Sequence, residues 1–132
     1  MRKNNKLTPA EWKIMEAVWE LGGSPSVRNV IEHAFPDGEK AYTTVQTVMN
    51  ILEKKGLLKC AKIGMVNFYS PVQTRDQMVK SEISLMASRM FKGSLPALAN
   101  YLVNSEKLSL EEIEAIKSLL HRKEKELKGN RP

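Results

Sequence analysis

Apolar residues return along this chain at three- and four-residue steps in six places, interrupted once by two short runs rich in β-branched and aromatic residues. In residues 8–23, TPAEWKIMEAVWELGG, Trp12, Met15, Val18 and Trp19 keep helical spacing and define one buried stripe. Thr8, Pro9 and Glu11 mark the start of that helix: a hydroxyl cap, a proline whose missing N–H is no loss in the first turn, and a carboxylate placed to reach back. Gly22 and Gly23 stop it. A second, shorter helix is predicted behind Ser24 or Ser26, with Val27, Val30, Ile31 and Ala34 on one face and the turn-forming PDGEK after it. His33 lies off that stripe and is expected in solvent. The third helix falls in AYTTVQTVMNILEKKGLLK, residues 41–59, where Val45, Val48, Met49 and Leu52 repeat and Gly56 ends the run.

The two short runs follow directly. LLKCAK and VNFYSPV, joined by Ile63, Gly64 and Met65, have the composition of a β-hairpin. Beyond Pro71 helical spacing resumes: Val79, Ile83, Met86 and Met90; then Leu95, Leu98, Leu102 and Val103; then Ile113, Ile116 and Leu120 behind Ser109 and Glu112, a second capping pair. The fold class expected is mostly α with a small β-hairpin. Residues 1–72 have the layout of a winged helix-turn-helix, and residues 73–132 form a helical region. Three amphipathic helices in sixty residues bury little by themselves, so a second copy of the chain is expected to complete their core. The last five residues, KGNRP, are expected to fray.

Composition narrows the function classes. The chain has 132 residues, 42% of them hydrophobic and 27% charged, as in ordinary globular proteins rather than disordered ones. One cysteine, Cys60, rules out an internal disulfide framework and has no partner at metal-ligand spacing. No apolar run approaches the roughly 18 residues of a membrane span, and the charged N-terminus lacks the apolar core of a signal peptide, so a cytoplasmic protein is expected. No nucleophile–base grouping, phosphate-binding glycine loop or paired-carboxylate pattern points to an enzyme, and no cofactor is expected. The formal net charge of +6 favours polyanionic partners.

Its distribution says more than its size. Lys40, Lys54, Lys55, Lys59 and Lys62 gather around the third helix and the hairpin. The exposed face of that helix meanwhile carries Thr43, Thr44, Gln46, Thr47 and Asn50, where a soluble helix would ordinarily carry Glu and Lys. Short neutral donors and acceptors are what base edges in a B-DNA major groove require: Asn and Gln can pair adenine through two bonds, and Thr can donate or pack its methyl. Glu would be repelled by phosphate, and Lys prefers phosphate to bases. In a helix-turn-helix the N-terminal part of the recognition helix enters the groove, with its amide dipoles favouring phosphate and basic residues holding the backbone nearby. The candidate DNA-binding residues are therefore Thr43, Thr44, Gln46, Thr47, Asn50, Lys54, Lys55, Lys59 and Lys62. The competing reading is a winged-helix module for protein contact, without sequence-specific DNA binding, which the fold alone permits.

The segments LTPAEWKIMEAVW, AYTTVQTVMNILEKKGLL and NFYSP together resemble the penicillinase-repressor (BlaI/MecI-like) family of winged-helix regulators over residues 7–127, most closely in the third helix. The resemblance implies a homodimer on a palindromic double-stranded operator, with the C-terminal helices as the dimer interface. It also implies induction by a membrane sensor-protease that cuts an Asn-Phe bond in an apolar helix. ALANYLVNSEKL aligns Asn100-Tyr101 with that bond, tyrosine standing for phenylalanine, and the neighbouring Leu98, Leu102 and Val103 are expected to be packed. Two positions depart from the family pattern: Ile51 and the wing-tip Met65 stand where relatives often carry basic residues. The C-terminal cysteine cluster of copper-responsive relatives is absent.

Overall fold

The computed structural model describes residues 7–105 and 107–129. In chain order it contains α1 (Pro9–Leu21), α2 (Val27–Ala34), α3 (Tyr42–Lys54), β1 (Leu58–Ile63), β2 (Val66–Pro71), α4 (Arg75–Phe91), α5 (Leu95–Ser105) and α6 (Leu110–Gly129). The three leading helices and the hairpin make a winged helix-turn-helix. The chain divides into two compact units, the first ending at Glu82 and the second beginning at Ile83.

Local chemistry accounts for the first unit's helices. The Thr8 side chain accepts from the Glu11 N–H at 3.1 Å and the Glu11 carboxylate accepts from the Thr8 N–H at 2.8 Å, so two orphan donors at the start of α1 are satisfied at once. Ser26, rather than Ser24, caps α2, with Asn29 in the reciprocal role. The apolar stripes then converge: Ile14, Met15 and Val18 of α1, Val27 and Val30 of α2, and Val45, Met49 and Leu52 of α3 are all buried, together with Leu57, Leu58 and Tyr69. Trp12 and Trp19 are only partly buried, lying against this cluster with ring centroids 5.9 Å apart. His33 is exposed, with Glu20 Oε1 2.7 Å from its Nε2.

The hairpin is tighter than expected. Ile63 pairs with Val66, leaving Gly64 and Met65 as a two-residue turn in place of the expected Ile63-Gly64-Met65 connection. Gly64 has φ of +64° and Met65 does not enter positive φ, the pattern of a type II′ turn, whose twist suits antiparallel strands. The wing is tied to the helices by the Tyr69 N–H, which donates to the Pro25 carbonyl at 2.9 Å, and by a bridge between Ser26 and Phe68.

The first unit extends ten residues past the boundary expected at Val72, and the reason is packing. Met78, on the second turn of α4, is 3% exposed and belongs to the same core. The Trp19 indole donates to the Gln73 carbonyl at 2.9 Å, and Arg75 Nε donates to Glu16 Oε1 at 2.9 Å. The first turns of α4 thus close one side of the winged helix.

The second unit is different in kind. Neither α5 nor α6 contains a buried residue among those described. Ile83, Met86 and Met90 of the predicted α4 stripe are exposed, and the buried position is Ala87. Tyr101 packs against Phe91 with the rings tilted by 50° and centroids 5.5 Å apart. The packing expected for Leu98, Leu102 and Val103 is not made within one chain. Leu98 is half-buried, while Leu102 and Val103 are each 51% exposed, because no described element of the same chain covers that side of α5. Of the expected frayed tail, Lys128 and Gly129 are helical, and residues 130–132 lie outside the described residues.

Candidate nucleic-acid interface

α3 presents the candidate residues on one side of the first unit. Thr43, Thr44, Thr47, Asn50 and Lys54 are exposed, and Gln46 is half-buried at the edge of the stripe. The start of this helix is unlike the other five. Its cap position is Ala41, which supplies no side-chain acceptor. α1, α2, α4, α5 and α6 are capped by Thr8, Ser26, Thr74, Ser94 and Ser109 in turn. The first-turn N–H groups of α3 thus keep their capacity for an outside acceptor such as a phosphate oxygen.

Within the face the side chains are not equivalent. Thr47 Oγ1 donates to the Thr43 carbonyl one turn back at 2.8 Å, so its hydroxyl proton is used inside the helix and the methyl is its unengaged group. Asn50 accepts, at its Oδ1, a hydrogen bond of 2.9 Å from the Tyr69 phenol on the wing. Tyr69 is wholly buried, and that burial, with Cys60 beside it, pushes its pKa up to about 12, so the phenol keeps its proton. Tyr42 and Ile51, 46% and 41% exposed, add apolar surface to the same helix.

Of the lysines, Lys40, Lys54, Lys59 and Lys62 are exposed, and Lys55 is half-buried. Its ammonium lies 2.9 Å from both oxygens of Glu11, whose side chain is 6% exposed. Burial alone would push the Glu11 carboxyl up, but the Thr8 hydrogen bonds and the Lys55 charge outweigh it and hold the group below its ordinary value. Lys55 thus ties the end of α3 to the start of α1. Lys59 and Lys62 are also separated: three residues apart on β1, they alternate to opposite faces of the hairpin. The wing tip beyond them is apolar, with Ile63 68%, Met65 92% and Val66 45% exposed.

Two side chains that engage the candidate residues, Tyr69 and Glu11, were not paired with them by the sequence reading. Their partners are 19 and 44 residues away, and no local pattern pairs residues at such separations.

A winged helix whose third helix is uncapped and exposes a neutral polar face invites comparison with known regulators. The model of the penicillinase repressor family matches residues 7–122. The chain belongs to the penicillinase repressor family. Transcriptional regulator BlaI of Mycobacterium tuberculosis is 31% identical over 133 residues, covering 100% of this chain and 94% of its own. Methicillin resistance regulatory protein MecI of Staphylococcus aureus is 28% identical over 122 residues, covering 92% of this chain and 98% of its own. Among solved structures, the DNA-binding domain of the repressor BlaI in solution has a TM-score of 0.49 at 29% identity, covering 57% of this chain and 90% of that one. As a penicillinase repressor family member, the chain is a DNA-binding transcriptional regulator of the winged-helix type and not an enzyme. Among the described residues no helix is long and apolar enough to cross a membrane.

Proposed function

We propose that the chain is a homodimeric, sequence-specific repressor that reads a two-fold symmetric operator by placing α3 of each protomer in the major groove. The observation that carries this reading is the face of α3. Thr43, Thr44, Thr47 and Asn50 stand exposed beside first-turn amides that no side chain caps. Gln46, Thr47 and Asn50 face bases in this arrangement, Lys54 holds the phosphate backbone beyond them, and from the wing one of Lys59 and Lys62, which lie on opposite faces of the hairpin, approaches it. Dimerisation is supported by the apolar side chains that α4, α5 and α6 leave uncovered, among them Met90, Leu95, Leu102 and Leu120. Family membership supports this reading over the purely protein-binding alternative.

Release from the operator follows if a membrane sensor-protease cuts between Asn100 and Tyr101. That bond lies in the middle of α5, where Asn104 Nδ2 donates to Asn100 Oδ1 at 2.9 Å, so the helix must open locally before a protease can take it. Cutting there separates α6 from α4 and weakens the proposed dimer without touching α3.

The test is binding of operator-bearing genomic fragments by fluorescence anisotropy across a salt series, with site selection on variants. Gln46→Ala and Thr47→Ala are expected to relax base preference, at about 1–3 kcal/mol for each bidentate pair removed. Lys54→Ala is expected to weaken all sequences alike. An unchanged consensus in all variants removes α3 as the reader. Mass spectrometry of the protein from induced cells tests the cut, and an intact chain after derepression rejects it.

A further inference from the structure

We infer that Tyr69 of the wing determines which hydrogen-bonding face Asn50 offers to a base, so that Asn50 reads an acceptor-bearing base and does not pair adenine through both amide atoms. This rests on α3 being the reader proposed above. A carboxamide is symmetric in shape and opposite in chemistry at its two ends: oxygen accepts, nitrogen donates two protons. Left alone on an exposed helix face, Asn50 could present either end or both. It is not left alone. The Tyr69 phenol donates to its Oδ1 at 2.9 Å, and among the described residues its Nδ2 has no partner.

The phenol cannot follow the amide about. Tyr69 is 0% exposed, sits opposite Cys60 in the strand register, and has its backbone N–H fixed on Pro25 O at 2.9 Å. Turning the Asn50 amide over would set N–H donors against the phenol and deprive a buried O–H of its oxygen acceptor, which is the costly arrangement for a buried polar group. The oxygen is therefore held toward the protein and the N–H₂ group is the end left for the groove. In the major groove guanine offers N7 and O6 and thymine offers O4 as acceptors, whereas cytosine offers a donor and adenine a donor beside its acceptor. Bidentate pairing with adenine needs the Asn oxygen turned to the base, whereas the phenol holds it turned toward the wing. Tyr69 is a positioning residue: it touches no DNA and acts through Asn50.

The experiment is binding-site selection from a randomised operator library with the full-length protein, its Tyr69→Phe and Asn50→Ala variants, and the double variant. Thermal unfolding confirms that each is folded. The wild type is expected to prefer guanine or thymine at one base pair of each half-site, and Asn50→Ala to lose preference at that pair. Tyr69→Phe is expected to admit adenine there, with discrimination reduced about five-fold or more and every other position unchanged. The double variant should match Asn50→Ala, as residues acting in series do. Adenine selected by the wild type at the Asn50-dependent pair overturns the inference, whether or not Tyr69→Phe folds. So does a Tyr69→Phe profile identical to wild type, or one weakened evenly at all positions, which marks a packing role only. If Asn50→Ala changes no position the inference also falls. In that case the Gln46→Ala and Thr47→Ala profiles show separately whether α3 is still the reader.

Discussion

The two compact units solve the same packing problem with opposite results. From Leu7 to Met78 the chain contributes nearly all the buried apolar residues among those described, drawn from four helices, the hairpin and the segments joining them, and so completes a core by itself. From Ile83 onward the one buried apolar residue among those described is Ala87, while twelve large apolar side chains stand exposed. Both stretches carry apolar stripes at helical spacing; what differs is whether the chain turns back on its own stripes. In the first unit, α1, α2, α3 and the wing converge from several directions on Val18, Val30 and Met49. In the second, the described helices leave such residues as Leu102 and Leu120 without cover. An apolar stripe in the sequence therefore specifies that a face will be buried and not by which chain. In the proposed repressor, a self-sufficient reader is joined to an assembly region that needs a second copy.

The largest effect should come from separating the two. A chain ending at Glu82 is expected to remain folded and become monomeric, with operator affinity lower by about 10²–10⁴ because the second half-site contact is no longer intramolecular. Sedimentation and anisotropy check this; a truncated dimer, or a full-length monomer at micromolar concentration, would erase the contrast between the units. Next, Met78→Ala should destabilise the first unit by about 2–5 kcal/mol, whereas Met90→Ala should leave it unchanged. Denaturant unfolding followed by tryptophan fluorescence separates them, since Trp12 and Trp19 both report on the first unit.

A smaller effect is expected for Lys55→Ala, about 1–3 kcal/mol at neutral pH, below the figure for a fully buried pair because water reaches part of the lysine. Glu11 has a folded pKa below its ordinary value, so its ionised form contributes stability above the usual carboxylate range, and this is lost as pH falls through the lowered pKa. The deficit of Lys55→Ala relative to wild type should accordingly be greatest near pH 7 and shrink on acidification. A pH-independent deficit would assign the effect to the lost side-chain packing alone. Smallest are the rim lysines: Lys54→Ala, Lys59→Ala and Lys62→Ala should each flatten the log–log salt slope by about 0.9 where the ammonium contacts phosphate. Because Lys59 and Lys62 lie on opposite faces of the hairpin, at most one of that pair is expected to show the full change.

How far the sequence carries depends on the reach of the interaction. Thr8 with Glu11 and Ser109 with Glu112 are three residues apart, and both capping boxes were legible before any coordinates. The stripe over Val45, Met49 and Leu52 likewise assigned the buried face of α3, and with it the exposed Thr43, Thr44, Thr47 and Asn50, since a helix fixes both faces with one period. Helix order, the hairpin and the candidate reading face thus follow from short-range rules. The rest depended on residues brought together from far along the chain. That Lys55 pairs with Glu11, 44 residues away, is visible only in the fold. Asn50 looked like a free amide until the phenol of Tyr69 was found holding its oxygen. The expected boundary at Val72 left out Met78, whose burial depends on a core assembled from helices that precede it by dozens of residues. Periodicity records which side of an element avoids water; only tertiary structure decides which partner each polar group on the other side takes, because a hydrogen bond or ion pair is chosen by distance in space and not by separation in sequence.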